Sequence, residues 1–329
     1  MYLLKLFILL TLLISTPFAQ KPTPPIAYDF LAKKEVKAFV NTMVKKYHFD
    51  RQYITSILKD AKLDQETLDR YTGKYKKGKT DGTWERYKAH VLDPLSLAKA
   101  KAFRDTYYPT LLRASNEYEV DLEYIVAFIG VESKFGEYTG EYHIIDALTT
   151  LAFHKNRMQK FFKSELKHLF LLSREEHRSI EGMYGSFAGA MGCVQQVPSI
   201  QRRFGMDYNG DGIKDPWDLE DCIGIIASFM HRKGWKKGAV VAVPTNFKGK
   251  RFKTLKTSRK KRYQLKTLAK YGIKPTQPFE EKRGYLLKTH NKDHDDVWIA
   301  GSNFRVLTKY NNSTSYGLAI HLIAEDLKN

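Results

Sequence analysis

Apolar and polar positions follow a helical period through most of this chain. The clearest case is residues 29–47, where apolar side chains recur at intervals of three and four, as on the buried face of an amphipathic helix. Those side chains are Val36, Phe39, Val40, Met43, Val44 and Tyr47. The same spacing predicts further helices over residues 53–58, 65–71, 95–118, 161–177, 219–233 and 313–327.

The pattern changes after Trp235. Short apolar runs rich in β-branched and aromatic residues alternate with polar turns, which is typical of strands. The runs are residues 239–243, 251–257, 284–289, 297–299 and 304–307. We therefore predict a mainly α (α+β) protein, with an N-terminal helical domain (20–120), a helical core (121–235), a small antiparallel β domain (236–309) and a C-terminal helix (310–329) returning to the core.

Residues 1–19 have the pattern of a cleaved secretory signal peptide. Lys5 precedes the apolar residues 6–14, and a polar break ends at Ala19, after which cleavage is expected. There is no cysteine near this site to carry a lipid, and no later stretch is long and apolar enough to cross a bilayer. We expect a periplasmic or secreted protein with no membrane anchor.

The chain is strongly basic, with a formal net charge of +19 over 329 residues. Such a surface attracts polyanions, which for an exported protein are an acidic wall polymer, an anionic membrane face or nucleic acid. Residues 248–262 hold nine Lys or Arg, which form a solvated face or a polyanion contact. Cys193 and Cys222 are the only cysteines, and sequence leaves their pairing open because geometry decides it.

Glu132 is the strongest candidate for chemistry. It ends the apolar helical run 124–131, and its spacing places it on the same face as Ile125 and Phe128. Asp121 is the expected N-cap and Gly136 the expected stop. Burial and the negative helix end both raise a carboxyl pKa, as a glycosidic general acid requires. The alternative is a Glu that turns to water or pairs with Lys134.

Residues 207–213 match the opening of a calcium-binding EF-hand loop. Oxygen ligands stand at alternate positions, with Gly at the sharp turn and a backbone carbonyl from Ile213. The expected ligands are Asp207, Asn209, Asp211 and Ile213, closed by Asp218 or Asp221. A single loop of this type favours a structural calcium ion. An ordinary Asx-rich turn is the alternative.

Two other motifs are better explained without ligands. Residues 73–80 match the phosphate-binding string of nucleotide-binding proteins, but neither the preceding strand nor the following helix is predicted, so we interpret them as a Lys-rich loop. His290, His294 and the neighbouring Asp293, Asp295 and Asp296 could ligate a metal. A solvated turn between two strands explains them more simply.

Taken together, these residues resemble the lytic murein transglycosylase B family, periplasmic enzymes that cut peptidoglycan glycan strands. The similarity runs from about Trp84 to the C-terminus. Its landmarks, in order, are residues 129–136, 145–148, 185–192, Gln195, Pro198, the Asp207 loop, 310–313 and Tyr316. The resemblance implies a lysozyme-like helical core with an added helical domain and a small β domain.

The resemblance also implies roles for individual residues. Glu132 aligns with the family's single catalytic acid/base. Ser186, Gln195 and Asn311 fall where the family places polar groups around the sugar N-acetyl group, and Tyr87 and Tyr316 where tyrosines line the glycan groove. The family's calcium loop is longer than an EF-hand, which favours Asp221 over Asp218.

The sequence departs from the family pattern at several places. The residues that flank Gln195 differ, namely Cys193, Val194, Gln196 and Val197. Met158 replaces the second residue of an Arg-Arg pair, and Phe229 stands where the family has a groove tyrosine. We predict a monomeric lytic transglycosylase that binds peptidoglycan strands, not nucleic acid, and forms 1,6-anhydromuramic acid ends. The alternatives are a hydrolytic muramidase, with Glu137 or Glu141 as second carboxylate, and a wall-binding protein with impaired catalysis.

Overall fold

Helices make up most of the chain, which confirms the predicted fold class. The computed structural model of the protein describes residues 23–74 and 83–329. Its α-helices are α1 (Lys34–Tyr47), α2 (Arg51–Asp60), α3 (Gln65–Thr72), α4 (Thr83–Val91), α5 (Pro94–Thr106), α6 (Tyr108–Tyr118), α7 (Leu122–Ser133), α8 (Ile144–Phe153), α9 (Gln159–Glu175), α10 (Pro198–Phe204), α11 (Leu219–Arg232), α12 (Leu265–Lys270), α13 (Ser302–Tyr310) and α14 (Thr314–Lys328).

The strands are short, and a single 3-10 turn, Phe30–Ala32, precedes α1. In chain order they are β1 (Ile26–Ala27), β2 (Lys62–Leu63), β3 (Tyr142–His143), β4 (Tyr184–Gly185), β5 (Ala242–Pro244), β6 (Arg262–Gln264), β7 (Arg283–His290) and β8 (Asp295–Ala300). The signal-peptide prediction for residues 1–19 and most of the phosphate-binding string at 73–80 lie outside the described residues. No helix among the residues described has the length and apolar character needed to cross a bilayer.

Local chemistry explains where several helices begin and end. Asp50, Asp64 and Asp93 accept hydrogen bonds from backbone N–H groups in the first turns of α2, α3 and α5. The single helix predicted over residues 95–118 is instead two, α5 and α6, separated at Tyr107. Pro109 explains the break, because proline has no N–H for the helix ladder and its ring obstructs the preceding turn.

The chain divides into two compact units. The described part of unit 1 is residues 83–135 and Ile223–Asn329. Within it, α7 is apolar and buried along almost its whole length and packs against α5, α6 and α14. The aromatic ring of Phe128 on α7 lies 4.7 Å from that of Tyr310 and 5.9 Å from that of Tyr316. Unit 1 thus places the last turn of α7 beside the α13–α14 connection.

A four-stranded antiparallel sheet belongs to the same unit, as the β-type runs predict. Its order is β5-β8-β7-β6, and Leu286 on β7 pairs with Ile299 on β8. A buried apolar cluster is built around it from Val243, Phe252, Tyr263, Leu268, Ile273, Leu286, Val297 and Ile299. Two runs were predicted wrongly: residues 251–257 form no strand, and 304–307 lie in α13. The domain boundaries at 20, 121, 236 and 310 stay a prediction.

The described part of unit 2 is residues 23–74 and Gly136–Cys222. Its centre is the pair α8 and α9, with α10 packed on α9. Helix α8 is buried at every position, so it lacks the alternation that would reveal a helix in sequence. Glu165 on α9 is buried, and its carboxylate accepts hydrogen bonds of 2.8 Å from the N–H and the hydroxyl of Ser199 in α10.

Candidate active site

Glu132 lies in the last turn of α7 and carries the only charge in the run 124–132. Asp121 occupies the predicted N-cap position, but the prediction that its side chain caps α7 is wrong. Its carboxylate instead accepts hydrogen bonds from the indole of Trp235, at 2.7 Å, and from the backbone N–H of Gly238, at 3.0 Å. These bonds anchor the start of α7 to the segment after α11.

The end of α7 is formed by three consecutive residues in the left-handed region. The φ angles of Lys134, Phe135 and Gly136 are 50°, 62° and 87°. The C-cap is Lys134, so the helix ends slightly earlier than the predicted stop at Gly136 implies. This turn folds the Phe135 ring under Gly130, where an added Cβ would lie 2.5 Å from the ring. Glycine is therefore required in the turn that carries Glu132.

The Glu132 carboxyl accepts a very short hydrogen bond from the phenol of Tyr316. No ion pair joins Glu132 to Lys134 among the described residues, and Lys134 is exposed. Part of the Glu132 surface remains accessible, but the carboxyl is closely surrounded by protein. Burial raises its pKa to about 8, and the hydrogen bond from Tyr316 opposes this rise. Glu132 is therefore largely protonated near neutral pH.

Two predicted groove tyrosines lie close to this carboxyl. Burial and the negative charge of ionised Glu132 both raise the pKa of Tyr87 and that of Tyr316. Tyr316 sits in the first turn of α14, where its backbone N–H donates to the hydroxyl of Ser313 at 3.3 Å. Unit 1 therefore brings Glu132, Tyr87 and Tyr316 together. The groove roles of the two tyrosines stay a prediction.

Asn311 is buried at the C-cap of α13, five residues before Tyr316. Beside it, the rings of Phe128, Phe229 and Tyr310 form an aromatic cluster, a contact that the sequence did not predict although it singled out each position. The Phe229 and Tyr310 rings are 4.9 Å apart and nearly perpendicular. Phe128 lies four residues before Glu132, and this helical spacing is the sequence signal that places its ring on the same side of α7 as the Glu132 carboxyl.

Ser186 and Gln195 lie in the small-residue turn of unit 2. The hydroxyl of Ser186 accepts the N–H of Ala190 at 3.1 Å. The amide nitrogen of Gln195 donates to the carbonyls of Thr139, at 2.7 Å, and Gly192, at 3.0 Å. Their predicted contacts with a sugar stay a prediction.

A disulfide joins Cys193 and Cys222, which answers the question that the sequence left open. It ties the small-residue turn to the first turns of α11. The turn is tightly packed there, because an added Cβ at Gly192 would lie 1.8 Å from the carbonyl oxygen of Pro216. Reduction of the disulfide would therefore loosen the turn that carries Gln195.

The side chains of the predicted calcium loop bond mainly to its own backbone. Asp207 accepts the N–H groups of Gly210 and Gly212 at 2.8 and 2.9 Å, and Asp211 accepts that of Ile213 at 2.8 Å. Asn209 accepts the N–H of Asp211 at 3.0 Å. These bonds form the Asx turns that the alternative interpretation expects.

Asp221, at the end of this loop, is fully buried. It accepts the N–H groups of Tyr208 and Asp215 at 2.6 and 2.8 Å, whereas Asp218 caps the start of α11. The oxygen-only donors fit the chemistry of calcium. Nevertheless, in residues 23–74 and 83–329 no three His, Cys, Asp or Glu side chains converge as a metal-binding group.

The histidine cluster surrounds the turn between β7 and β8, where His290, Asp293 and His294 are exposed, as expected for a solvated turn, but Asp295 at the start of β8 is not. Asp295 there is buried and paired with Arg251 at 3.0 Å and His290 at 2.7 Å. It is therefore a structural anchor for the basic segment 248–262. The metal alternative gains no support from this arrangement.

Replacing Tyr316 with Phe tests the hydrogen bond to Glu132. A bond donated to a carboxylate stabilises the ionised form, so its loss raises the pKa of Glu132 above about 8. We expect the alkaline limb of the activity profile to move to higher pH and kcat to fall roughly 10- to 100-fold, because the carboxyl loses its orientation. Tyr108→Phe, at an exposed position on α6, is the control. An unchanged limb would contradict the assignment.

This chain is similar to known proteins in both sequence and structure. Residues 31–325 match the family model described as the transglycosylase SLT domain. The chain is 34% identical over 299 residues to membrane-bound lytic murein transglycosylase B of Escherichia coli, covering 89% of this chain and 82% of that protein.

Solved structures show the same similarity. The E. coli lytic transglycosylase Slt35 in complex with bulgecin A has a TM-score of 0.83 at 33% identity, covering 92% of this chain and 96% of that one. Its calcium complex gives a TM-score of 0.82. SltB1 from Pseudomonas aeruginosa gives 0.77 at 28% identity, covering 89% and 98%. The chain therefore belongs to the transglycosylase SLT domain family, a family of lytic transglycosylases with a lysozyme-like fold.

Proposed function

We propose that this protein cleaves the β-1,4 bond between N-acetylmuramic acid and N-acetylglucosamine in peptidoglycan and leaves a 1,6-anhydromuramoyl end. The observation that carries the proposal is the Glu132 carboxyl, hydrogen-bonded to Tyr316 with a pKa raised to about 8. Such a group holds a proton at neutral pH and can still release it, as one residue acting first as acid and then as base requires.

In the first step, protonated Glu132 donates its proton to the glycosidic oxygen and the bond to the muramoyl C1 breaks. Positive charge then develops at C1. The substrate's own acetamide oxygen is positioned to stabilise it. We propose that Ser186, Gln195 and Asn311 hold this acetamide, and that Tyr87 and Tyr316 line the glycan groove.

In the second step, ionised Glu132 removes the proton from the muramoyl C6 hydroxyl. The C6 oxygen attacks C1 and closes the anhydro ring, so the proton returns to Glu132 and no water is consumed. Tyr316 donates to the carboxylate in the interval and limits the cost of a buried charge.

Hydrolysis is the competing outcome, and it needs a second carboxylate to activate water. The candidates from sequence, Glu137 and Glu141, are exposed. Mass spectrometry of fragments released from purified peptidoglycan separates the two reactions, because anhydro ends are lighter than reducing ends by one water. We expect anhydro ends from wild type, Glu137→Gln and Glu141→Gln. If wild type releases reducing ends instead, and Glu137→Gln or Glu141→Gln no longer does, the protein is a hydrolase.

We also infer that the loop 207–221 binds a structural calcium ion. Asp207, Asn209, Asp211, the Ile213 carbonyl and Asp221 would supply oxygen ligands, and the related Slt35 was solved with calcium. Because the loop joins α10 to α11, the ion would stabilise unit 2 and take no part in catalysis. The same proposal holds that the enzyme is an exported monomer acting on peptidoglycan strands.

Removing calcium is expected to lower the melting temperature of the protein. A ligand that binds only the folded state stabilises it by roughly 3 kcal/mol at a concentration a hundred times its Kd. Melting with excess chelator, then with calcium or magnesium restored, measures this effect. Asp207→Asn should abolish the calcium response, and Asp218→Asn, which alters only the α11 cap, should keep it. Equal melting in chelator and calcium would refute the site.

A further inference from the structure

Unit 1 contains a cationic pocket next to the α13–α14 connection. Its cavity of about 280 Å³ is lined by Thr257, Ser258, Arg259, Lys260, Leu287, Lys288, Asn312 and Thr314. Three of these eight side chains are basic, and none is acidic. Thr314 stands two residues before Tyr316, a separation of at most about 7 Å along the chain. The first turn of α14 therefore connects the pocket to Tyr316.

The basic residues around this pocket differ in how their charges are neutralised. Arg251 pairs with Asp295 at 3.0 Å, Lys288 with the same carboxylate at 3.6 Å, and Arg262 with Glu281. By contrast, the partly buried Arg259 has no carboxylate or hydrogen-bond acceptor among the residues that the structure describes. The N–H groups of this guanidinium are therefore free to bind an anion.

A second cation next to Arg259 makes a bound anion more favourable at this pocket. Arg305 on α13 lies close enough to Arg259 to lower its pKa through like-charge repulsion, in addition to the effect of burial. Among the described residues, the guanidinium of Arg305 contacts only a neutral hydroxyl, that of Thr308, at 3.4 Å. Two neighbouring guanidinium groups with no carboxylate between them in the described part of the chain form a natural site for an anionic group.

We propose that this pocket binds a carboxylate of the peptide stem carried by the glycan strand, with Arg259 as the principal contact. The inference rests on the proposed function, because stem peptides accompany muramic acid in the substrate of that reaction. A stem beside the scissile bond starts within a sugar's length of Glu132, and Asn312 and Thr314 connect the pocket to Tyr316. A planar guanidinium also suits bidentate binding of a carboxylate.

The test compares three substrates in the same cleavage assay. They are glycan strands with intact stems, strands whose stem carboxylates have been amidated, and strands whose stems have been removed enzymatically. Wild type should cleave the intact strands with a kcat/KM about tenfold higher than the other two. Arg259→Met should lose that advantage through KM and cleave the stem-free strands as wild type does, and Arg259→Lys should recover part of it.

Lys253→Met is the matched control, because it removes one charge from the same basic segment at an exposed residue that does not line the pocket. It should retain the preference for intact stems. An Arg259→Met protein that cleaves all three substrates with wild-type preference would overturn the proposal, and so would an equal loss on all three. Failure of the proposed function is distinguishable, because wild type would then release no anhydro ends from any substrate.

Discussion

Glu132→Gln is expected to abolish release of anhydromuramoyl fragments, with a fall in kcat of at least roughly a thousandfold. The amide keeps the size of the side chain and can accept the Tyr316 hydrogen bond, but it can neither donate the proton to the leaving oxygen nor take one from the C6 hydroxyl. Both halves of the reaction are lost together, and removal of general acid–base catalysis alone is worth roughly 10²–10⁴-fold per step. The measurement is the initial rate of fragment release from purified peptidoglycan.

The control for this substitution is Glu123→Gln, which removes a carboxylate from the first turn of the same helix. It should leave the rate within about twofold of wild type. Binding of Glu132→Gln to insoluble peptidoglycan should also be retained, because the fold and groove are unchanged. Residual anhydro product from Glu132→Gln above one per cent of the wild-type rate would show that another group carries the proton.

The same variant should be more stable than wild type at neutral pH. The pKa of Glu132 rises from 4.5 unfolded to about 8 folded. Between these values the unfolded chain releases a proton that the folded protein retains, so wild-type stability decreases as pH rises through this window. The glutamine side chain of the variant does not titrate, so the variant's stability advantage over wild type grows from pH 4.5 to 8 and reaches roughly 3 kcal/mol at pH 7. Urea unfolding at pH 4, 7 and 8.5 measures it.

The comparison at pH 4 acts as an internal control, because both side chains are then neutral in the folded and unfolded states. A constant difference between variant and wild type at all three pH values would mean that Glu132 has an ordinary pKa. In that case the carboxyl would be ionised at neutral pH and could not start the reaction as an acid.

Loss of the Cys193–Cys222 disulfide is the second large effect that we expect. The bond closes a loop with a sequence separation of 29 residues. Loop-closure entropy of that size corresponds to roughly 3–4 kcal/mol of stability. Chemical denaturation of the Cys193→Ala, Cys222→Ala double variant against oxidised wild type measures the loss.

Reductant is the matched control for the double variant. It should lower wild-type stability by a similar amount and leave the double variant unchanged. Activity should also fall, because the bond holds the turn in which Gln195 donates to the carbonyls of Thr139 and Gly192. Equal stability of double variant and oxidised wild type would show that packing at Gly192 alone holds the turn.

The sequence predicted α7 well because this helix has one strong signal, a charge at the end of a buried apolar run. It failed where tertiary contacts decide the outcome. Residues 304–307 are apolar enough for a strand, yet Phe304 and Leu307 are the inward positions of α13. Asp121 has the right spacing for a cap, but the indole of Trp235, more than a hundred residues away, competes successfully for its carboxylate.

The candidate site likewise combines residues that the sequence identifies with contacts that it cannot predict. Glu132 and Tyr316 were identified separately, the first from burial and charge and the second from a family resemblance. Their hydrogen bond joins residues 184 positions apart, and local spacing carries no information about it. For the same reason, the sequence could not decide whether Cys193 and Cys222 form a disulfide. Arg259 could not be separated from its eight basic neighbours, because only the fold shows which of them find carboxylates.

Digestion of peptidoglycan in water enriched in oxygen-18 tests the central claim most directly. If Glu132 directs the C6 hydroxyl to C1, water never enters the bond, and the new muramoyl ends will carry no oxygen-18. A hydrolytic lysozyme run in parallel shows that incorporation can be detected. One oxygen-18 per released end from this protein would mean that water is the nucleophile, and the single-carboxylate mechanism would be wrong.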